Sequence, residues 1–226
     1  MQIAVLGTGP VGQSLAAKLA SLGHQVTIGT RDVEATMGRT EPDSFGNPPF
    51  SEWAAQHTNI AVATFAEAAA GAAWVVNATN GAGSIAALEA AGETSLAGKV
   101  LVDVANPLDF SQGMPPALLV SNTDSLGEQI QRRFPDARVV KTFNTMNAYL
   151  MVDPTLVAGG DHTVFVSGDD QDAKAAVTEL LESFGWSDIV DLGDITTARG
   201  SEMLLPIWVR LWSALGNPMF QFKIAR

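Results

Sequence analysis

Six residues near the start of the chain, Gly7-Thr8-Gly9-Pro10-Val11-Gly12, carry the spacing that cradles a dinucleotide pyrophosphate. Each glycine has its own task. Gly7 permits a tight turn, Gly9 has no Cβ and lets the backbone approach a phosphate, and Gly12 lets the following helix pack close to its strand. The pattern is specific only in context, because the same residues also occur in structural turns. Here a short apolar run, residues 3–6, reads as a buried parallel strand leading into it. A helix expected over residues 11–22 follows, turning unpaired N–H groups and its positive dipole end toward the phosphates. Gly23 stands where a left-handed C-cap belongs, and a second strand is expected over residues 25–29.

The end of that second strand selects the cofactor. An NAD site places an Asp or Glu about 20 residues after the first glycine, to bond the ribose 2′-hydroxyl. This chain has Thr30, followed by Arg31 and Asp32. A hydroxyl and a guanidinium suit a 2′-phosphate, and Arg31 can also stack on adenine, so NADP is the expected cofactor. The competing reading leaves Arg31 in solvent and turns Asp32 back to a ribose.

Open parallel sheets bind ligands beyond the carboxyl ends of their strands. The residues expected there are Asn77, Ala78 and Thr79 after the fourth strand, Asn106 and Pro107 after the fifth, and Asn144, Thr145, Met146 and Asn147 after the sixth. They are small, neutral and rich in amides, and suit a ribose, a nicotinamide and a planar second substrate. Any one of Asn77, Asn106 and Asn144 alone could equally be a turn or cap residue.

No general acid or base stands out. Tyr149, the single tyrosine, has Asp153 four places on, where short-chain dehydrogenases need a lysine. His24 reads as part of a turn, and His57 and His162 as surface residues. Lys141 reads equally as a cleft residue or as a surface strand end. No metal-ligand spacing appears, and no metal is expected. The catalytic residue is left unassigned, which fits hydride transfer between two bound cofactors, where positioning supplies most of the rate.

The elements that must hold these loops alternate strand and helix. The expected fold is α/β: a Rossmann-type doubly wound parallel sheet with a small C-terminal α/β extension. Further strands are expected over residues 60–62, 74–77, 100–104, 138–142, 163–167 and 188–192, and helices over 50–56, 85–91 and 171–184. Two capping boxes, Thr64 with Glu67 and Ser125 with Glu128, open helices. Residues 41–50 form an irregular stretch rich in Pro and Gly, which together with Trp53 carries the aromatics Phe45 and Phe50. Residues 1–150 are expected to form the NADP-binding domain, and residues 151–226 a subdomain with a dimerisation helix. That last helix begins at Thr196 or Thr197, is apolar over much of its surface between Met203 and Leu215, and should kink or break at Pro206. Such a surface points to burial against a second copy, with burial against the chain's own sheet as the alternative.

Composition narrows the classes of partner. The 226 residues are 46% hydrophobic, enough for a substantial core. With 24 acidic against 13 basic residues the net charge is −11, which disfavours nucleic acid and anionic membranes as partners. There is no cysteine, so disulfides and thiolate chemistry are excluded. No signal peptide or membrane-spanning stretch is read, and the expected location is the cytoplasm.

The motifs resemble, over nearly the whole chain, the NADPH-dependent reductases of the deazaflavin coenzyme F420. The resemblance rests on residues 7–12, on Gly29-Thr30-Arg31, on residues 139–147 (Val-Val-Lys-Thr-Phe-Asn-Thr-Met-Asn), on Gly168-Asp169-Asp170, and on residues 194–199 ahead of the last helix. It implies a homodimeric Rossmann protein that transfers a hydride between NADP(H) and a planar acceptor, coenzyme F420. It implies that Thr8 to Val11, Thr30 and Arg31 bind NADP, and that residues 144–147 lie where nicotinamide and deazaflavin stack. This chain departs from the family in two places. Asn144 stands where the enzyme members have a histidine, and residues 32–53 form a longer insertion over the expected cleft. The alternatives are an NADPH-dependent reductase of a small carbonyl or imine, and a non-catalytic NADP-binding redox sensor.

Overall fold

Strand β1 (Gln2–Leu6) divides its side chains between two cores. In the computed structural model, which describes residues 1–43 and 46–226, Ile3 and Val5 enter one apolar cluster and Ala4 and Leu6 the other. A strand covered on both faces must be apolar along its covered length, and this one is from Ile3 to Leu6, with polar Gln2 at its exposed start. The remaining strands are β2 (Gln25–Thr30), β3 (Ala61–Thr64), β4 (Trp74–Asn77), β5 (Val100–Asp103), β6 (Leu108–Asp109), β7 (Ala117–Leu118), β8 (Arg138–Thr142), β9 (Thr163–Ser167) and β10 (Asp188–Asp191). β6 and β7 pair with each other as a small antiparallel ribbon, and the other eight form one sheet in the order β10-β9-β8-β5-β4-β1-β2-β3.

From β3 to β8 every neighbour is parallel. With β8 as the sixth strand, this is the strand order of the dinucleotide-binding fold. β9 then runs antiparallel to β8, pairing Thr142 with Val166 and Lys141 with Ser167, and β10 is parallel to β9. The reversal has a local cause. The chain between β8 and β9 carries one five-residue helix and two short 3₁₀ turns, and stays at the carboxyl end of the sheet rather than crossing back to its other end.

The helices are α1 (Pro10–Ser21), α2 (Val33–Met37), α3 (Phe50–Gln56), α4 (Phe65–Gly71), α5 (Ser84–Ala91), α6 (Glu93–Leu96), α7 (Leu126–Arg133), α8 (Ala148–Val152), α9 (Gln171–Phe184), α10 (Ala198–Met203) and α11 (Leu205–Leu215). Helices α1, α3, α8 and α9 pack on the Ile3/Val5 face, and α4, α5, α7 and α10 on the Ala4/Leu6 face. The sheet is therefore doubly wound. The expected division at residue 150 falls inside α8, and residues 151–226 extend the same sheet through β9 and β10.

Local chemistry explains the helix ends. Thr64 accepts the Glu67 N–H, and the Glu67 carboxylate accepts the Thr64 N–H at 2.9 Å, closing a capping box. Ser125 also accepts the N–H of its partner Glu128, but there the carboxylate turns to the Ser125 hydroxyl and to Arg199. Gly23 adopts φ 84°, as a left-handed C-cap requires. Pro206 breaks the last helix: α10 ends at Met203 and α11 restarts at Leu205. Phe45 lies outside the described residues.

One histidine expectation, that for His162, needs correction. His162 is buried rather than on the surface, with Nε2 2.9 Å from the Pro154 carbonyl and its ring edge-on to Trp186. His57 stacks on Trp53 at 4.1 Å and is half-covered. Both rings are absorbed by aromatic packing. His24 does lie in the turn before β2, beside the chain's amino terminus.

Candidate functional site

The glycine loop is set by contacts that only glycine tolerates. Gly7 has φ 123°, and a Cβ there would stand 2.5 Å from the Ala78 carbonyl oxygen. At Gly12 a Cβ would meet the Gly7 carbonyl at 2.1 Å, which is the close approach of α1 to β1 expected from the motif. At Gly9 nothing lies within 4 Å of that position, so this side of the loop is open to a ligand. Gln13 Nε2 donates to the Thr8 carbonyl at 2.8 Å and steadies the turn. No side chain caps the start of α1, so its first-turn N–H groups face outward with the positive end of the helix dipole. This is a cradle shaped for a pyrophosphate.

At the end of β2, Thr30 is buried and its hydroxyl lies 2.7 Å from that of Thr36. A hydroxyl both donates and accepts, so with Thr36 as donor the Thr30 proton remains available to an anion. Arg31 is exposed and has no hydrogen bond or ion pair with another described residue. Asp32 is engaged as the N-cap of α2, accepting the Ala35 N–H at 2.9 Å. The pairing suits a 2′-phosphate better than a bare ribose.

Beyond β4 and β5 lies a cavity of about 180 Å³, walled by Val11, Ala78, Thr79 and Asn106 together with Leu108 and Phe110. Four expected site residues from three loops thus meet around one hollow. Pro107 is buried just behind it, and Gly81 packs so close that a Cβ would stand 2.0 Å from the Asn106 carbonyl oxygen. Phe110 and Leu108 belong to the β6–β7 ribbon region, whose two-residue strands are too short for any periodicity to reveal.

Of the three strand-end amides only Asn106 reaches the cavity wall, and Asn77 and Asn144 lie behind it. Asn77 is fully buried; its Nδ2 donates to Asp103 Oδ1 at 2.8 Å, and its Oδ1 accepts the Thr79 hydroxyl at 2.7 Å. Asn106 and Asn144 exchange two bonds: Asn106 Nδ2 donates to the Asn144 carbonyl at 2.9 Å, and Asn144 Nδ2 donates to Asn106 Oδ1 at 3.2 Å. Asn144 Nδ2 also donates to the Ser201 carbonyl of α10. Asn144, Thr145 and Met146 are buried, with Met146 in the core, while Asn147 is half-exposed and N-caps α8. Phe143 precedes them with φ 62°, a left-handed conformation that costs a non-glycine residue free energy. Its ring is held by Phe184 at 6.0 Å and Trp186 at 6.1 Å, which fixes the turn that returns Asn144 toward Asn106.

Lys141 is neither a cleft residue nor a surface strand end. Its side chain is wholly buried, and Nζ lies 2.8 Å from both Asp103 Oδ2 and Glu202 Oε1. Burial pushes its pKa down, but Asp103 and then Glu202 push it up by more, so the net shift is upward and the ammonium stays charged. A signal for this pair exists in the sequence: the runs ending in Asp103 and Lys141 become register partners once β5 is laid beside β8. Charges in two adjoining buried parallel strands are rare unless paired. Arg199 makes a two-point pair with Glu128, which holds that carboxyl below its ordinary range, so Arg199 is engaged within the chain. The described part of the insertion closes a second hollow of about 380 Å³ over α1, where Glu52 and Trp53 of α3 face Gln13 and Tyr149.

The chain has clear relatives. The family described as NADP oxidoreductase, coenzyme F420-dependent, matches residues 2–107. The F420-dependent NADP reductase of Methanothermobacter marburgensis is 29% identical over 93% of this chain and 92% of its own length. The rat metalloreductase STEAP3 (Rattus norvegicus) is 30% identical over 92% of this chain, which spans 38% of that relative's length. A protein from Arthrobacter sp. FB24, solved as a candidate F420-dependent NADP reductase, is 67% identical with a TM-score of 0.97, and 100% of each chain is covered. Identity of that order along two whole chains carries the family with it, and the chain belongs to the coenzyme F420-dependent NADP oxidoreductases.

Proposed function

We propose that this protein transfers a hydride between NADP(H) and the deazaflavin coenzyme F420. The observation that carries the reading is the continuity of the open glycine loop with a neutral cavity at the strand ends, Val11 belonging to both. In this reading Thr8, Gly9, Pro10 and Val11 hold the pyrophosphate through the backbone and the start of α1. Thr30 and Arg31 hold the 2′-phosphate. Ala78, Thr79, Asn106 and Pro107 bound the ribose and nicotinamide, and Asn77 acts through Thr79. Residues 144–147 back the place where the second ring would lie. When bound, the nicotinamide supplies the hydride and the deazaflavin accepts it. The chain's own residues orient the two rings, and the one proton taken up with the hydride would come from solvent, so no side chain need supply it.

Residues 1–150 would supply the cofactor site, and residues 151–226 the contact between two copies in a homodimer, with the protein working in the cytoplasm. The name and whole-length similarity of the M. marburgensis reductase support the choice of acceptor. The test is an absorbance assay with NADPH and oxidised coenzyme F420, where turnover is expected. Turnover on a carbonyl or imine panel alone would replace the acceptor. Tight NADPH binding with silence on every acceptor would replace the enzyme by a sensor.

A further inference from the structure

We propose that Lys141, with Asp103 and Glu202, positions the nicotinamide by tying the wall of the strand-end cavity to α10. The inference rests on the reading of that cavity as the NADP(H) site. All three donors of the ammonium are used: Asp103 at 2.8 Å, Glu202 at 2.8 Å and the Ala105 carbonyl at 2.6 Å. Asp103 reaches the cavity by a second route, its Oδ1 accepting from Asn77, which in turn holds Thr79. Thr79 and Ala105 both line the cavity, so each of its strand-end walls is bonded into this one cluster.

Glu202 anchors the other end. Its two oxygens accept the Leu126 and Gly127 N–H groups at 2.8 Å and 3.0 Å, at the start of α7. The cluster of one ammonium and two carboxylates is thus completed by the positive end of a helix dipole. Stability alone does not call for it. Buried ion pairs can often be replaced by apolar residues at no loss, and the preceding residues of β8 are Val139 and Val140. What apolar packing cannot supply is a fixed direction for the Ala105 carbonyl and the Thr79 hydroxyl. Lys141 touches no cavity surface itself, so its role is positioning.

The test uses Glu202→Gln and the charge-free triple variant Lys141→Met, Asp103→Asn, Glu202→Gln, compared with wild type in an NADPH titration read by nicotinamide emission. In the wild type, binding should change the emission. Both variants should bind NADPH with nearly unchanged affinity, because neither alters a residue of the glycine loop or the Thr30-Arg31 pair, yet lose that emission change. Their kcat should fall by on the order of 10-fold or more, the scale on which small misplacements act, with KM for NADPH little altered. The triple variant leaves no unpaired buried charge, so it tests the role even where Glu202→Gln does not fold. Variants that melt earlier but keep the wild-type emission change and kcat would overturn the inference. A wild type that does not bind NADPH would instead overturn the cofactor reading beneath it.

Discussion

Arg31 stands at the end of β2, in solvent and without a partner among the described residues, beside the buried Thr30. Replacing Arg31 by Ala should weaken NADPH binding by about 1.5–3 kcal/mol, the worth of hydrogen bonds to charged groups, and leave NADH almost unchanged. Calorimetric titration with both cofactors checks this; equal weakening of the two would reduce Arg31 to a stacking platform. Asn144 has the opposite character. Its Nδ2 serves both the Ser201 carbonyl and Asn106 Oδ1 from a buried position, so Asn144→Ala should cost about 1–3 kcal/mol of stability, seen as a lower urea midpoint. The sequence made the glycines, Thr30 and Arg31 legible because their chemistry is local to a motif. It made the amides legible as residues of the strand ends but not their direction: amide chemistry states how many bonds a side chain can make, not whether they point into the cavity or behind it. The pairing of Lys141 was harder to read for a related reason, since its partners lie 38 and 61 residues away and only the register of β5 with β8 brings the first of them near.

Helix α7 shows how an element is held in place from both ends. Ser125 caps its start, and just before that Asp124 makes a two-point pair with Arg132, the last residue but one of the helix. The Arg132 hydrogen bonds hold the Asp124 pKa down to about 2, below its ordinary 3.8. A depressed carboxyl stabilises the fold above its unfolded pKa and loses that contribution as pH falls through the folded value. Asp124→Asn should therefore be less stable than wild type at neutral pH. The difference should shrink below pH 3.8 and vanish below about 2. Arg132 is largely exposed, so the effect should stay below about 1 kcal/mol. Urea unfolding across this pH range is the measurement, and a difference independent of pH would reject the ion pair as its source. Among the elements, β4, β8, β9, α3 and α9 fall where period and caps put them, because four or more residues of consistent pattern were available. Helices α2, α6 and α8 and the β6–β7 ribbon, two to five residues each, carry too little pattern to be read. The direction of β9 was equally hidden, since strand direction depends on where the connection runs.

At the scale of the whole molecule the open question is what covers α11. The sequence marks this helix as apolar but does not say which side chains turn inward. Leu205, Trp208 and Val209 do, with Trp208 packed on Phe220 of the chain's own tail at 5.3 Å. Ile207, Trp212 and Leu215 are left exposed, and a hollow of about 520 Å³ opens between this helix and Met114-Pro115. Part of the helix is thus buried against its own chain, and part forms an apolar face of a kind rare on monomers. Trp212 lies against Trp208 at 5.7 Å and presents a large aromatic surface, the type of residue that anchors interfaces. A homodimer closed through two copies of this face would be isologous, each Trp212 reaching the other copy's patch. Light scattering of the wild type should give the mass of two chains, and Trp212→Glu should give one, because a carboxylate at that point would be desolvated without a partner. Circular dichroism of the variant would separate dissociation from unfolding, since Trp212 is exposed within one chain and its replacement leaves the sheet intact. A wild-type mass of one chain would mean that α11 is held by its own tail alone, and the expectation of a dimer through this helix would be wrong.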